Sequence, residues 1–339
     1  MMAMRMRAKR MRALGMFCVF MLATGATPPP GDGMALVNPD LRKPAEALMK
    51  AKGLPPPTPW KSKSLPQGVV ERQVTSPNGQ PPVTIYIINA RQDASPPRGA
   101  ILYIHGGGYI GGDARQNLGA LKALAARLNC VIVSAQYRLA PGARFPGPME
   151  DNYVALKWLH DQAPVLGVDR RRLAVLGESA GGGLAAMVTL AARDRKQVPI
   201  AFQALVYPML DDRTGTTRPV PDHIGQLLWT RSLNRMGWRA LLGTEPGGKS
   251  APQGSVPARV ANLAGLPPTF IEVGSIDLFV DEDIEFARRL INAGVPTELL
   301  VVPGAFHAFE LVAPQAPVSQ QFRAALEAAL SRALAPPSP

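Results

Sequence analysis

Cysteine is nearly absent from this chain. Its 339 residues include two, Cys18 and Cys130, too few for a disulfide framework, and neither stands in a Cys/His spacing that suggests a metal site. Histidine is scarce as well: His105, His160, His223 and His307 are the four. Charged residues make up only 18%, against 46% hydrophobic, which argues against global disorder. The length suits one large α/β domain with an insertion, or two domains. The apolar run near the N-terminus is well short of the roughly 20 residues needed to cross a bilayer, so no stable membrane insertion is expected of the mature protein. Acids are outnumbered, and the net charge is +12. Five of those positives are Arg5, Arg7, Lys9, Arg10 and Arg12, which leaves +7 on the rest of the chain. Those remaining bases are scattered and no nucleic-acid-binding motif accompanies them, so a nucleic-acid partner is not expected.

The five positives precede "ALGMFCVFMLA" at 13–23, and Thr24-Gly25-Ala26 then offers small residues for cleavage. Basic, apolar, small is the order of a secretory signal. The expectation is export to the periplasm or medium, with a mature chain beginning near Thr27. A cytoplasmic protein whose start site was assigned too early is the alternative. Cys130, in "CVIVSA", reads as a small apolar residue of a buried strand.

Short β-branched or aliphatic runs recur at Val69–Val74, Val83–Ile88, Ala100–Ile104, Val131–Ala135, Leu173–Leu176, Phe202–Val206, Thr269–Val273 and Glu298–Val302. Each reads as a strand. Helical patterns occupy Asn117–Leu128, Glu150–Asp161, Ala180–Arg193, Asp281–Ala293 and Ser319–Leu334, with another near Pro44–Lys52. Alternation of this kind predicts an α/β protein: an eight-stranded, mostly parallel sheet flanked by helices. Between Asp211 and Leu266 the rhythm breaks, and "HIGQLLWTRSLNRMGWRALLG" at 223–243 is helical in pattern. An insertion there would lie over the edge of the sheet where ligands bind in open α/β folds, so a helical cap is expected. The chain then divides into a signal at 1–26, a linker and N-terminal part of the cap at 27–66, a core at 67–210, the cap insertion at 211–266 and a second core part at 267–335.

"LAVLGESAGGGLAAM" at 173–187 breaks an apolar run with a glutamate, a serine and glycines before a helix resumes. A sharp strand-to-helix turn needs small residues on both sides of its tip, and Gly177 and Gly181 supply them. Ser179 at the tip is either a nucleophile or an ordinary helix N-cap. A serine nucleophile needs a base, and the base needs an acid to orient it. His307, in "VVPGAFHAF", follows the eighth strand, while Asp277 stands just past the seventh, in the order Ser…Asp…His. Asp281, Glu282 and Asp283 begin a helix, where acids complement the dipole. Asp277 could also be only a loop aspartate capping a turn. After the third strand, "HGGGY" at 105–109 brings Gly106, Gly107 and Gly108, whose amides can approach an oxyanion, and Ala180 offers another N–H. Gly106, Gly108 and Gly111 also spell a dinucleotide fingerprint, but that pattern needs the first strand of a βαβ unit and an acid at the end of the next. The next strand here ends in "AQYRLAP".

"HGGGY", "YRLAP" (137–141), "GESAGG" (177–182), "DLFVDE" (277–282) and "PGAFHAF" (303–309), in this order, resemble the hormone-sensitive-lipase-like esterases of the α/β-hydrolase superfamily over roughly residues 40–330. The resemblance implies an α/β-hydrolase fold with a helical cap. Its activity would be carboxylic-ester hydrolysis on a small-molecule ester, with no metal and no organic cofactor. It also implies Ser179 as nucleophile, Asp277 as acid, His307 as base, and an oxyanion hole of Gly107, Gly108 and Ala180. Glu178 stands where the family often has Asp or Thr, and Ala308 where it often has Gly. An amidase, a peptidase or an acyltransferase would use the same triad, and a non-catalytic binding module could share the fold. A homodimer is compatible with all of these. Arg138 and Asp151 are expected to pair beside the site. Trp229 and Trp238 either line an acyl pocket or only pack the cap.

Overall fold

A computed structural model describes residues 33–50, 64–77, 79–92 and 95–336. The expected signal at 1–26 and the prolines of 55–57 lie outside the described residues. The eight apolar runs form one sheet in the order β1-β2-β4-β3-β5-β6-β7-β8. Its strands are β1 (Val69–Val74), β2 (Val83–Ile88), β3 (Arg98–Ile104), β4 (Val131–Gln136), β5 (Val168–Glu178), β6 (Phe202–Val206), β7 (Thr269–Gly274) and β8 (Thr297–Val302). β2 runs antiparallel to both β1 and β4. The pairings from β4 through β8 are parallel. β3 is buried along its whole length, as a strand covered on both faces must be. β5 starts earlier than its apolar run because Asp169, Arg170 and Arg171 extend it toward solvent.

The helices are α1 (Arg42–Lys50), α2 (Leu118–Arg127), α3 (Gly147–Asp161), α4 (Ala180–Arg195), α5 (Arg231–Leu242), α6 (Val280–Asn292), the short α7 (Phe309–Val312) and α8 (Pro317–Leu334). One hydrophobic cluster joins residues of α3, α4 and α6 to one face of the sheet, among them Leu156, Leu184 and Phe286. A second joins residues of α2 and α8 to the other face, among them Leu121 and Phe322. The parallel strands therefore end together at one edge between the two layers. Among the described residues, no helix is long and apolar enough to cross a membrane.

The helical expectation for residues 223–243 holds only in its second half. Residues 223–230 form turns, and α5 begins at Arg231. Gly225 and Leu228 take left-handed φ angles of 71° and 61°, which cannot continue a right-handed helix. Thr230 then caps α5, its Oγ1 accepting from the Leu233 amide.

Candidate active site

The turn from β5 into α4 has no room for side chains. A Cβ on Gly177 would lie 2.2 Å from the Gly181 carbonyl oxygen, and one on Gly181 would lie 2.1 Å from that of Ile104. Ser179 at the tip has φ 56° and ψ −121°, a conformation costing on the order of 1–3 kcal/mol for a residue with a side chain. Its backbone is pinned: the Ser179 amide donates to the Val206 carbonyl, and the Ser179 carbonyl accepts from Met209. Its hydroxyl makes no capping hydrogen bond to α4. It lies 2.9 Å from His307 Nε2 instead.

His307 reaches this point from the loop after β8. Its Nδ1 is 2.8 Å from Asp277 Oδ2, on the loop after β7. Asp277 serves two partners, since its Oδ1 accepts from the Phe279 amide at 3.0 Å. Both sequence readings of Asp277, turn cap and partner of a histidine, therefore hold at once. Ser179, Asp277 and His307 are all buried. Arranged this way, the imidazole can accept the serine proton through one nitrogen while the carboxylate holds the other.

The loop after β3 lies against the same turn. A Cβ on Gly106 would approach the Glu178 carbonyl oxygen to 3.0 Å and Ser179 Cβ to 3.4 Å. Gly107 has φ 125°, and a Cβ there would lie 2.2 Å from the Gly111 carbonyl oxygen. The Gly107 carbonyl accepts from Ile110 and Gly111, but among the described residues the amides of Gly107 and Gly108 have no acceptor. The Ala180 amide opens α4, where no intrahelical partner exists. Three free N–H groups thus come from two segments in contact with each other. His105 fixes the loop: its ring is 2.8 Å from the Gly106 carbonyl and stacks on Tyr137 at 4.3 Å. Burial pushes its pKa down to about 4. It is thus neutral at pH 7, with Nδ1 the nitrogen placed to donate to the carbonyl. Arg138 and Asp151 pair as expected, with Nη2 to Oδ1 at 2.7 Å, and Asp151 also accepts from the Arg138 amide. Cys130 is buried, and burial raises its thiol to about 12. Among the described residues, no group of three His, Cys, Asp or Glu side chains could hold a metal ion.

Several contributors escaped the sequence reading. Tyr207 packs edge-on against His307 at 4.6 Å, and its hydroxyl donates to Glu310 Oε1. Glu178 accepts from Tyr103 at 2.9 Å. Burial raises the carboxyls of Glu178, Glu272 and Glu310, that of Glu178 to about 7. Glu282 and Asp283 lie in the first turn of α6 but are buried rather than facing solvent. Glu282 accepts from the amides of Leu210 and Asp211 and so ties α6 to the segment after β6. The two tryptophans part company. Trp238 is fully buried against Tyr109, their rings 5.1 Å apart, whereas Trp229 is part-exposed and its ring is 6.2 Å from that of His307. Periodicity marks both as apolar and cannot separate them.

Comparison with known proteins bears on the same segments. A family described as alpha/beta hydrolase fold matches residues 101–311. Esterase LipI of Mycobacterium tuberculosis is 35% identical over 206 residues, 59% of this chain and 62% of that protein. The matched region thus spans less than two thirds of that relative. Carboxylesterase NlhH of the same species is 30% identical over 277 residues, 80% of this chain and 84% of the relative. Among solved structures, a bacterial heroin esterase is similar with a TM-score of 0.72 and 35% identity, covering 91% of this chain and 95% of the other.

Proposed function

The chain belongs to the α/β-hydrolase-fold family, in its hormone-sensitive-lipase-like branch, and from that premise we propose that it is a serine carboxylesterase acting on small esters. The observation that carries the reading is the Ser179 hydroxyl, held 2.9 Å from His307 Nε2 and left unused as a helix cap. Ser179 Oγ attacks the ester carbonyl carbon while its proton passes to His307 Nε2. The carbonyl oxygen becomes an oxyanion and accepts from the amides of Gly107, Gly108 and Ala180. Asp277 accepts from Nδ1 and stabilises the imidazolium. Collapse of the tetrahedral intermediate breaks the bond to the leaving oxygen, which takes its proton from His307. Water then gives a proton to His307 and attacks the acyl carbon. The second collapse releases the acid and returns the proton to Ser179.

Esterase names among the relatives support ester chemistry over the other uses of a triad. The deciding assay compares p-nitrophenyl esters, an aminoacyl anilide, and an ester with added acceptor alcohol, on wild type and Ser179→Ala. Ester hydrolysis in wild type, lost in a folded Ser179→Ala variant, is expected. Faster anilide cleavage or predominant transfer to the alcohol would reassign the activity. Export remains part of the proposal, supported by the basic–apolar–small order of residues 5–26. N-terminal sequencing of periplasmic or secreted protein should read a start near Thr27.

A further inference from the structure

Three aromatic rings surround His307. Tyr207 lies 4.6 Å away, Phe279 5.3 Å and Trp229 6.2 Å, centroid to centroid. Tyr207 and Phe279 are buried, at 2% and 0% exposure, while Trp229 keeps part of its surface in solvent. Of the three, Trp229 is the ring that a molecule entering from solvent can touch. The same indole also reaches the loop after β3. A Cβ built on Gly108 would fall 2.1 Å from Trp229 Cη2, so the ring lies directly on that backbone. Trp229 therefore spans the gap between an oxyanion donor and the base.

Its position is fixed by the fold. Leu228 before it is in the left-handed region at φ 61°, unusual for a residue of its kind, and the Trp229 amide closes a tight turn onto the Leu227 carbonyl at 2.8 Å. The indole Nε1 donates to Asn234 Oδ1 at 3.3 Å. Asn234 is fully buried, and its Nδ2 donates to the Thr214 carbonyl at 2.9 Å. One turn further along α5, a Cβ on Gly237 would lie 2.5 Å from the Gly108 carbonyl oxygen. The helix thus rests on the loop, and the Asn234 strut holds the ring against it. Strain of this kind, kept in place by its surroundings, is what functional segments carry.

Resting on the esterase reading, we propose that Trp229, positioned by Asn234, is the residue that bounds the leaving-alcohol side of the ester site. His307 Nε2 must face both Ser179 Oγ and the departing oxygen, so the alcohol group extends from the tetrahedral carbon past His307. Trp229 is the accessible wall there. A flat indole stacks on aryl alcohols, and its bulk beside His307 disfavours branched or cyclic secondary ones.

The test measures kcat/KM for two substrate series on wild type, Trp229→Ala, Trp229→Phe and Asn234→Ala. One series varies the alcohol on a constant acetyl group: methyl, phenyl and cyclohexyl acetate. The other varies the acyl chain on constant p-nitrophenol. Trp229→Ala should raise the cyclohexyl-to-methyl ratio by about tenfold and lower the phenyl-to-methyl ratio severalfold, the range that aromatic contacts cover. Asn234→Ala should shift both ratios the same way by less, and Trp229→Phe should keep them near wild type. The acyl-chain profile should keep its shape in all three. Ratios within twofold of wild type in folded Trp229→Ala and Asn234→Ala, or a shift confined to the acyl series, overturns the proposal. Because the ratios compare substrates on one preparation, partial unfolding cancels from them. Loss of the esterase reading itself shows elsewhere, as wild-type protein inactive on every ester or Ser179→Ala retaining activity.

Discussion

Ser179 Oγ and His307 Nε2 lie 2.9 Å apart although 128 residues separate them in sequence. The distance is reached because two parallel strands, β5 and β8, deliver their following loops to one edge of the sheet, with β6 and β7 between them. The Ser179 side chain caps no helix, so its hydroxyl is left to the imidazole.

Asp277 divides its two oxygens between His307 Nδ1 and the Phe279 amide. In Asp277→Asn one of the two roles must be served by an NH₂ group, and an amide that donates to Nδ1 selects the wrong tautomer. Activity should fall by about 10³–10⁴ with the melting temperature little changed. Steady-state kinetics with a parallel thermal melt checks this. A variant that loses stability and activity together would show that the turn, not the imidazole, depends on Asp277.

Gly108 is closed off by Trp229, 2.1 Å from where a Cβ would stand. Gly108→Ala should therefore displace the loop and lower kcat by about 10²–10³, the cost of losing one oxyanion donor. Adding Trp229→Ala relieves the clash, so the double variant should recover part of the loss. A double-mutant cycle measures that coupling. Strict additivity would mean that the backbone φ of 61° alone forbids alanine.

Glu178 has its carboxyl raised from 4.5 to about 7, chiefly by burial and then by the nearby Glu310. Below pH 4.5 the folded and unfolded chains both carry the proton and the full contribution to stability is present. As pH rises through 7 the unfolded chain has released it while the folded chain must give it up at a cost, and stability falls by at most about 3 kcal/mol. Glu178→Gln removes this term, because the amide is neutral throughout and its oxygen can still accept from Tyr103. Urea midpoints between pH 4.5 and 8 should decline less in Glu178→Gln than in wild type. Parallel declines would place the pH dependence in other carboxyls that burial raises, Glu272, Glu282, Asp283 and Glu310.

Residues 211–266 contribute one twelve-residue helix, α5, whose buried side includes Asn234, Gly237, Trp238 and Leu241. On the proposed reading these residues roof the ester site, and each methylene buried beneath them is favoured by about 0.8 kcal/mol until the space is full. Catalytic efficiency on p-nitrophenyl esters should peak at short to medium acyl chains, roughly C4 to C8 by the same methylene arithmetic. A p-nitrophenyl series from C2 to C16 and a triglyceride emulsion provide the measurement. Efficiency still rising at the longest soluble ester, or a jump at the oil–water interface, would require a mobile lid.

What the sequence determined by itself was local and ordinal. Runs such as Val83–Ile88 and Phe202–Val206 coincide with strands residue for residue, because a strand covered by helices on its faces is mostly apolar; Gln203 is buried there only by bonding to Thr269. Glycines at 177 and 181 marked the turn because backbone oxygens leave their Cβ positions no space. The order Ser179, Asp277, His307 followed from which strand each residue succeeds. Tertiary structure alone decided which apolar residue faces which partner. Trp229 and Trp238 carry the same hydrophobic signal, yet one meets His307 and the other Tyr109, because α5 begins only at Arg231, leaving Trp229 on the turn after left-handed Leu228 and Trp238 on the buried side of the helix. Glu282 and Asp283 look like surface acids of a helix start, yet α6 enters with its first turn buried, and Glu282 finds amides on a segment more than seventy residues earlier. Periodicity records that one side of an element avoids water. It holds no record of the distant groups brought against that side, and the positions of Asn234, Tyr207 and Glu310 around the site were settled only by that packing.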